Sequence, residues 1–134
     1  KRIVEEISEF EMVHFPNLID PSVQMSELVQ LGKGNIICAG TILTVNIRIE
    51  DFCIINLDCT IGHDDILDSF VTIYPSVNIS GNVHIGRCSE LGTGTQIIQG
   101  IKIKEDSIIG AGSVVVKDLK ETGTYIGVPV KRIR

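Results

Sequence analysis

The sequence contains three histidines, and His63 is the one whose neighbours suggest chemistry. It lies in the segment Ile61-Gly62-His63-Asp64-Asp65, so a carboxylate directly follows the imidazole. A carboxylate partner holds an imidazole in one tautomer and raises its basicity, as a general base near neutral pH requires. His63 and Asp64 are therefore candidate catalytic residues, and the alternative of a histidine without a catalytic role stays open.

A metal site is the rival explanation for this region. His63 has several aspartates near it in sequence, namely Asp58, Asp64, Asp65 and Asp68. The histidines do not have a shared ligand spacing, because His63 and His84 are 21 residues apart and His14 lies near the N terminus. The four cysteines contain no C-x-x-C pair. We predict no metal, and we expect the cysteines to be reduced thiols of a cytoplasmic protein.

A six-residue repeat must position these residues. From residue 19 onward, every sixth position is Ile, Leu, Val or Met, and a strand pattern interrupted by turns of varied length does not hold one phase for so long. The seventeen positions are Ile19, Met25, Leu31, Ile37, Leu43, Ile49, Ile55, Ile61, Leu67, Ile73, Ile79, Ile85, Leu91, Ile97, Ile103, Ile109 and Val115.

The rest of each hexad fits short strands joined by tight turns. The fourth residue after each aliphatic is mostly small or β-branched, and the next residue after the aliphatic is often glycine, as expected where a chain turns. This unit resembles the hexapeptide repeat of left-handed parallel β-helix proteins, in which three hexads form one triangular coil. The resemblance implies an all-β fold: a left-handed parallel β-helix of nearly six coils over residues 19–120. A short N-terminal helix or linker over 1–18 and a C-terminal tail over 121–134 flank it.

Stacking of residues eighteen apart predicts two outward ladders rich in aliphatic side chains. One ladder is Ile36, Ile54, Thr72, Glu90 and Ile108, and the other is Ile42, Thr60, Asn78, Gln96 and Val114. A soluble monomer rarely exposes contiguous isoleucines, so we expect these faces to pack against other copies. The family with this repeat is typically trimeric, which agrees. The same stacking places Gly81 beside His63, where the missing side chain would leave room for a substrate.

Charge and hydropathy argue against nucleic-acid and membrane partners. The formal net charge is −5, and the basic residues are scattered, so the chain carries no electrostatic footprint for nucleic acid. No apolar run approaches the roughly 20 residues that a membrane-spanning helix needs. We therefore expect neither a nucleic-acid partner nor a membrane span.

Four ordered motifs make the resemblance more specific. They are Gly62-His63-Asp64, then Ser80 to Gly86, then Ile109 to Val115, and Gly127 to Arg132. Together they resemble the acetyl-CoA-dependent sugar acyltransferases that include sialic acid O-acetyltransferases and UDP-4-amino-sugar N-acetyltransferases. In that family a Rossmann-like domain precedes the β-helix, so residues 1–18 would be the end of such a domain.

The resemblance also implies site residues. His63 would be the general base with Asp64 as its acidic partner, and no metal would be required. Acetyl-CoA would lie between neighbouring prisms against the positions that match the family's contacts, which are Thr72, Gly81, Thr93 and Ala111. The Gly81 N–H would suit the oxyanion of the attacked carbonyl. Relatives often have His at the position of Thr72 and Gly at that of Ala111, so this chain departs from the family pattern at these two positions.

Three functions remain open from the sequence. The first is an acetyltransferase acting on an amine or hydroxyl of a sugar or nucleotide sugar. The second is an acyltransferase on a non-sugar acceptor such as serine, and the third is a non-catalytic trimeric β-helix scaffold that binds acetyl-CoA.

Overall fold

In the computed structural model, which describes residues 1–7 and 13–134, one short helix precedes a long series of very short strands. Helix α1 spans Arg2–Ile7. The first seventeen strands contain two residues each and begin every six residues: β1 (Leu18–Ile19), β2 (Gln24–Met25), β3 (Gln30–Leu31), β4 (Ile36–Ile37), β5 (Ile42–Leu43), β6 (Arg48–Ile49), β7 (Ile54–Ile55), β8 (Thr60–Ile61), β9 (Ile66–Leu67), β10 (Thr72–Ile73), β11 (Asn78–Ile79), β12 (His84–Ile85), β13 (Glu90–Leu91), β14 (Gln96–Ile97), β15 (Lys102–Ile103), β16 (Ile108–Ile109) and β17 (Val114–Val115). Strands β18 (Thr124–Ile126) and β19 (Lys131–Arg132) follow.

Every third strand joins the same sheet, so the chain winds around a triangular prism. Face A holds β1, β4, β7, β10, β13, β16 and the tail strands, face B holds β2, β5, β8, β11, β14 and β17, and face C holds β3, β6, β9, β12 and β15. Pairing between coils is parallel with a shift of eighteen residues, as between Ile54 and Thr72. The predicted left-handed parallel β-helix of nearly six coils is confirmed, and so is the short N-terminal helix.

The repeated aliphatic residues form the core. From Ile37 to Val115 each of them is at most 3% exposed, because the second residue of every strand points into the prism. The first residue of every strand points outward, which confirms the predicted ladders on faces A and B. In the first coil Met25 remains 47% exposed, because no coil lies below it among the described residues.

A second inward position lies at each corner, four residues after the aliphatic. Seven polar residues occupy it and are fully buried: Asn35, Thr41, Asp65, Ser89, Thr95, Ser107 and Ser113. Several join one coil to the next, as when Asn35 Oδ1 accepts a hydrogen bond of 2.8 Å from the Cys53 N–H. The buried corner polar groups thus connect stacked coils.

The corner turns revise one expectation about glycine. The left-handed conformation falls three residues after the aliphatic, at positions such as Gly94, with φ +72°, and Asp64, with φ +61°. The glycine that directly follows the aliphatic has another role, because a Cβ at Gly62 would lie 2.5 Å from the Gly81 nitrogen. Close approach of the next coil, and not the turn, requires glycine there.

The C-terminal tail extends face A and folds over the last coil. Strand β18 pairs in parallel with β16, and β19 pairs antiparallel with β18. Tyr125 and Val130 from this tail are buried and join the core. Among the described residues, no helix has the length and apolarity needed to cross a membrane.

Candidate active site

His63 and Asp64 form an outward pair in the turn between β8 and β9, at the corner where face B meets face C (the BC corner). His63 Nδ1 lies 2.7 Å from Asp64 Oδ2, and both side chains are about half exposed, at 51% and 52%. The left-handed conformation of Asp64 places the two adjacent side chains on the outside of the corner. The predicted catalytic pair is therefore a contacting pair in the fold.

Asn46 is a third member of this group that sequence reasoning missed. It occupies the same turn position as Asp64 one coil earlier, and its Nδ2 donates to Asp64 Oδ1 at 3.3 Å. The hydrogen bonds from His63 and Asn46 lower the pKa of the Asp64 carboxyl, which is therefore ionised at neutral pH. An ionised carboxylate only accepts, so His63 Nδ1 carries a proton, and in the neutral imidazole the lone pair is on Nε2.

Gly81 lies directly against the His63 ring in the coil above. A Cβ at Gly81 would meet His63 Nε2 first and would lie 2.5 Å from Cε1 and 2.6 Å from Cδ2. The expectation that Gly81 leaves room for a substrate is corrected here, because the imidazole itself fills that space. Glycine is needed so that the ring, with Nε2 at its edge, can lie against the backbone of the next coil.

The remaining predicted contacts divide between different parts of the surface. Gly81 shares the BC corner with His63, whereas Thr93 and Ala111 stack at the AB corner, between faces A and B. Thr72 lies on face A, paired with Ile54 and Glu90. Within one chain the fold brings Gly81 to the histidine and leaves the other three elsewhere.

Unpaired backbone donors mark both corners. The N–H groups of Gly81, Thr93 and Ala111 donate to no acceptor among the residues that the structure describes. The stacking of coils does not use the N–H at this turn position, and at Thr93 and Ala111, which are exposed, it is available to a ligand. Gly81 differs from the other two because its residue is buried under the imidazole.

The other histidines take different positions. His84 lies on face C, where its Nε2 is 2.9 Å from Asp68 Oδ1. His84 itself lies on a flat face and lacks the glycine contact that distinguishes the BC corner. His14 lies in the irregular segment before β1.

The aspartates near His63 in sequence do not converge in space. Asp58 belongs to the AB corner, Asp68 to the corner between faces C and A, and Asp65 points into the core. Residues 1–7 and 13–134 contain no group of three His, Cys, Asp or Glu side chains that could hold a metal ion.

Cysteine is a poor candidate nucleophile in this fold. All four cysteines are free thiols, and Cys53 and Cys59 are buried. Burial raises the pKa of the Cys53 thiol to about 12 and also raises the pKa of Cys59, so both remain protonated and unreactive. The chemistry available at the surface is that of the imidazole.

Comparison with known proteins finds acetyltransferases. The sequence matches no protein-family model. The acetyltransferase domain of PglB from Neisseria gonorrhoeae superposes with a TM-score of 0.95 at 32% identity, covering 98% of this chain and 64% of that chain. PerB from Caulobacter crescentus, solved with CoA and GDP-perosamine, gives a TM-score of 0.94 at 34% identity, covering 98% and 63%. Further structures of that perosamine N-acetyltransferase carry Asn or Ala in place of one histidine.

A curated relative points to the same chemistry with another acceptor. A serine acetyltransferase from Buchnera aphidicola is 32% identical over 83 residues, which are 55% of this chain and 32% of that protein. The chain thus spans less than two thirds of the length of each protein compared. Fold, repeat and sequence are similar to those of hexapeptide-repeat acetyltransferases. Structures that match along 98% of the chain include the PglB acetyltransferase domain and a perosamine N-acetyltransferase.

Proposed function

We propose that this chain transfers an acetyl group from acetyl-CoA to the amine of a sugar or nucleotide sugar, with His63 as general base. The observation that carries the proposal is the chain of contacts from Asn46 through Asp64 to His63, which leaves Nε2 free beside Gly81. The structural relatives solved with acetyl-CoA or with CoA and GDP-perosamine support the donor and the acceptor class.

The reaction follows from this geometry. His63 Nε2 removes a proton from the acceptor nitrogen as that nitrogen attacks the thioester carbonyl, and a C–N bond forms. The unpaired Gly81 N–H is a donor for the oxygen as it becomes an oxyanion. When the C–S bond breaks, the imidazolium returns the proton to the leaving sulfur. The products are an N-acetylated sugar and CoA with a free thiol.

A homotrimer would join the two parts of the predicted donor site. Thr93 and Ala111 lie at the AB corner and His63 at the BC corner, so a neighbouring copy is needed to bring both against one acetyl-CoA. The exposed ladder on face A supports such packing, since Ile36, Ile54 and Ile108 are 38 to 45% exposed. The four free thiols support a cytoplasmic location.

The test is thiol release from acetyl-CoA in the presence of a UDP-4-amino-sugar or GDP-perosamine. We expect His63→Gln to lower kcat by about 10²- to 10⁴-fold, the usual contribution of a general base. His84→Gln is the matched control, because His84 also contacts an aspartate but lies on face C. Equal turnover by His63→Gln and the wild type would refute the role of the imidazole.

The second candidate keeps the chemistry and changes the acceptor. The similarity to a serine acetyltransferase favours testing serine and hydroxyl-bearing sugars in the same assay. Turnover with serine alone would assign the chain to that acceptor. Binding of acetyl-CoA by calorimetry without turnover on any acceptor would favour a non-catalytic scaffold.

A further inference from the structure

A buried carboxyl lies directly behind the candidate active site. Asp65 follows Asp64 in the BC-corner turn, but its side chain points into the prism and is 0% exposed. In the same column of the corner, the coils below and above place Ile47 and Val83, which are both buried and apolar. The mechanism described above gives this carboxyl no task.

Asp65 connects the turn that carries His63 to the turn that carries Gly81. Its Oδ1 accepts a hydrogen bond of 2.8 Å from the Val83 N–H. Two backbone hydrogen bonds flank it, from the Asn82 N–H to the His63 carbonyl oxygen at 2.7 Å and from the Ile66 N–H to the Val83 carbonyl oxygen at 2.9 Å. The Asp65 side chain therefore supplies the side-chain bond among the three that join these segments.

The regular backbone ladder is interrupted at this point. At the same corner the Thr44 N–H donates to Ile61 O at 3.2 Å, and the Ser80 N–H donates to Ile97 O at 3.0 Å. The equivalent bond from the Gly62 N–H to Ile79 O is not formed. The first coil also lacks this bond, from the Ser26 N–H to Leu43 O, and at the His63 coil the Asp65 side chain supplies a connection where the ladder bond is absent.

The carboxyl fits this position as a neutral group. Its Oδ2 is buried and has no hydrogen-bond partner among the described residues. Asn35 has the same arrangement at another corner, with Oδ1 bonded to the Cys53 N–H and Nδ2 without a partner. At this kind of corner, a neutral side chain with one carbonyl oxygen is therefore enough to accept the hydrogen bond from the backbone N–H of the next coil.

We propose that Asp65 is a positioning residue for acetyl transfer, whose side chain fixes the His63 turn against the Gly81 turn. This inference rests on the proposed function, because the separation it controls is that between the base and the N–H aimed at the oxyanion. A shift of about 1 Å between reacting groups costs up to about 10²-fold in rate, so one lost bond here is measurable.

Three variants test the proposal in the thiol-release assay. Asp65→Val removes the acceptor and matches the apolar neighbours, and we expect kcat to fall by about tenfold or more, with KM for acetyl-CoA within about twofold of wild type. Asp65→Asn keeps the acceptor, and we expect it to retain wild-type kcat. Asn35→Val is the matched control, because it removes the same bond at another corner, and we expect no change in kcat.

Amide hydrogen exchange of Val83 tests the hydrogen bond to Asp65 independently of turnover. We expect faster exchange in Asp65→Val and wild-type protection in Asp65→Asn. Folded Asp65→Val with wild-type kcat or unchanged Val83 protection would overturn the proposal, as would an equal loss of kcat in Asn35→Val. If Asp65→Val does not fold, Asp65→Cys takes its place, since Cys59 occupies the equivalent inward position. A wild-type protein without turnover contradicts the proposed function instead, and Val83 exchange then decides the role of Asp65.

Discussion

Replacing Asp65 by Asn should change how the stability of the protein depends on pH. Burial raises the pKa of the Asp65 carboxyl to about 7, and the hydrogen bond from the Val83 N–H opposes this shift only in part. In the unfolded chain an aspartate has a pKa of about 3.9. Between these values the native state binds a proton that the unfolded state has released, so stability falls as pH rises through this window.

The size of the effect follows from the two pKa values. A difference of about 3 units corresponds to about 4 kcal/mol at full ionisation, with about 1.4 kcal/mol for each pH unit inside the window. Between about pH 5 and about pH 7.5 the wild type should therefore lose about 2.5 kcal/mol relative to Asp65→Asn, which has no proton to release.

Urea unfolding at these two pH values, with protein concentration held fixed, measures the difference. Asn35→Asp is the converse control: a carboxyl placed in the equivalent buried corner should make stability fall with pH in the same direction. Parallel pH profiles for the wild type and Asp65→Asn would show that the native state does not hold Asp65 as a neutral acid, and the reasoning would fail.

Three further predictions concern the site and its assembly. Gly81→Ala places a Cβ against the His63 ring, 2.5 Å from Cε1, so we expect kcat to fall by about 10²-fold. Gly110→Ala is the control and should retain activity, because its methyl group meets the Ile126 side chain of the tail and not the His63 turn. Asn46→Gly removes a hydrogen bond from the carboxylate beside the base and still accommodates the left-handed φ of 56°, so kcat should fall by about tenfold with little change in the unfolding midpoint. Ile54→Lys places a charge on face A, and light scattering should then give a mass near 14.6 kDa in place of three times that value.

The repeat made most of the fold predictable. An eighteen-residue coil fixes which residues stack, so the inward aliphatics, the outward ladders and the contact of His63 with Gly81 all follow from residue numbers. The contact of Asn46 with Asp64 is also predictable, since Asn46 lies eighteen residues before Asp64. Adjacency in sequence to the histidine does not indicate it, because the contact joins two different coils.

Other features depend on distances that spacing does not give. The glycine after each aliphatic was interpreted as a turn residue, whereas a Cβ at Gly62 would meet the next coil. The role of Asp65 depends on a single hydrogen bond across coils and on an unpaired second oxygen, and neither is visible in a pattern of residue types. Thr93 and Ala111 lie at another corner from His63, so their predicted contribution requires more than one chain.

The hexad explains how two adjacent carboxyls acquire opposite properties. Asp64 takes the left-handed turn position, where it is exposed and two hydrogen bonds lower its pKa. Asp65 is the next residue and points into the core, where burial raises its pKa. Environments that separate the pKa values of neighbouring carboxyls commonly assign them different roles. Here the ionised carboxylate orients the base, and the neutral acid holds the turn that carries it against the coil above.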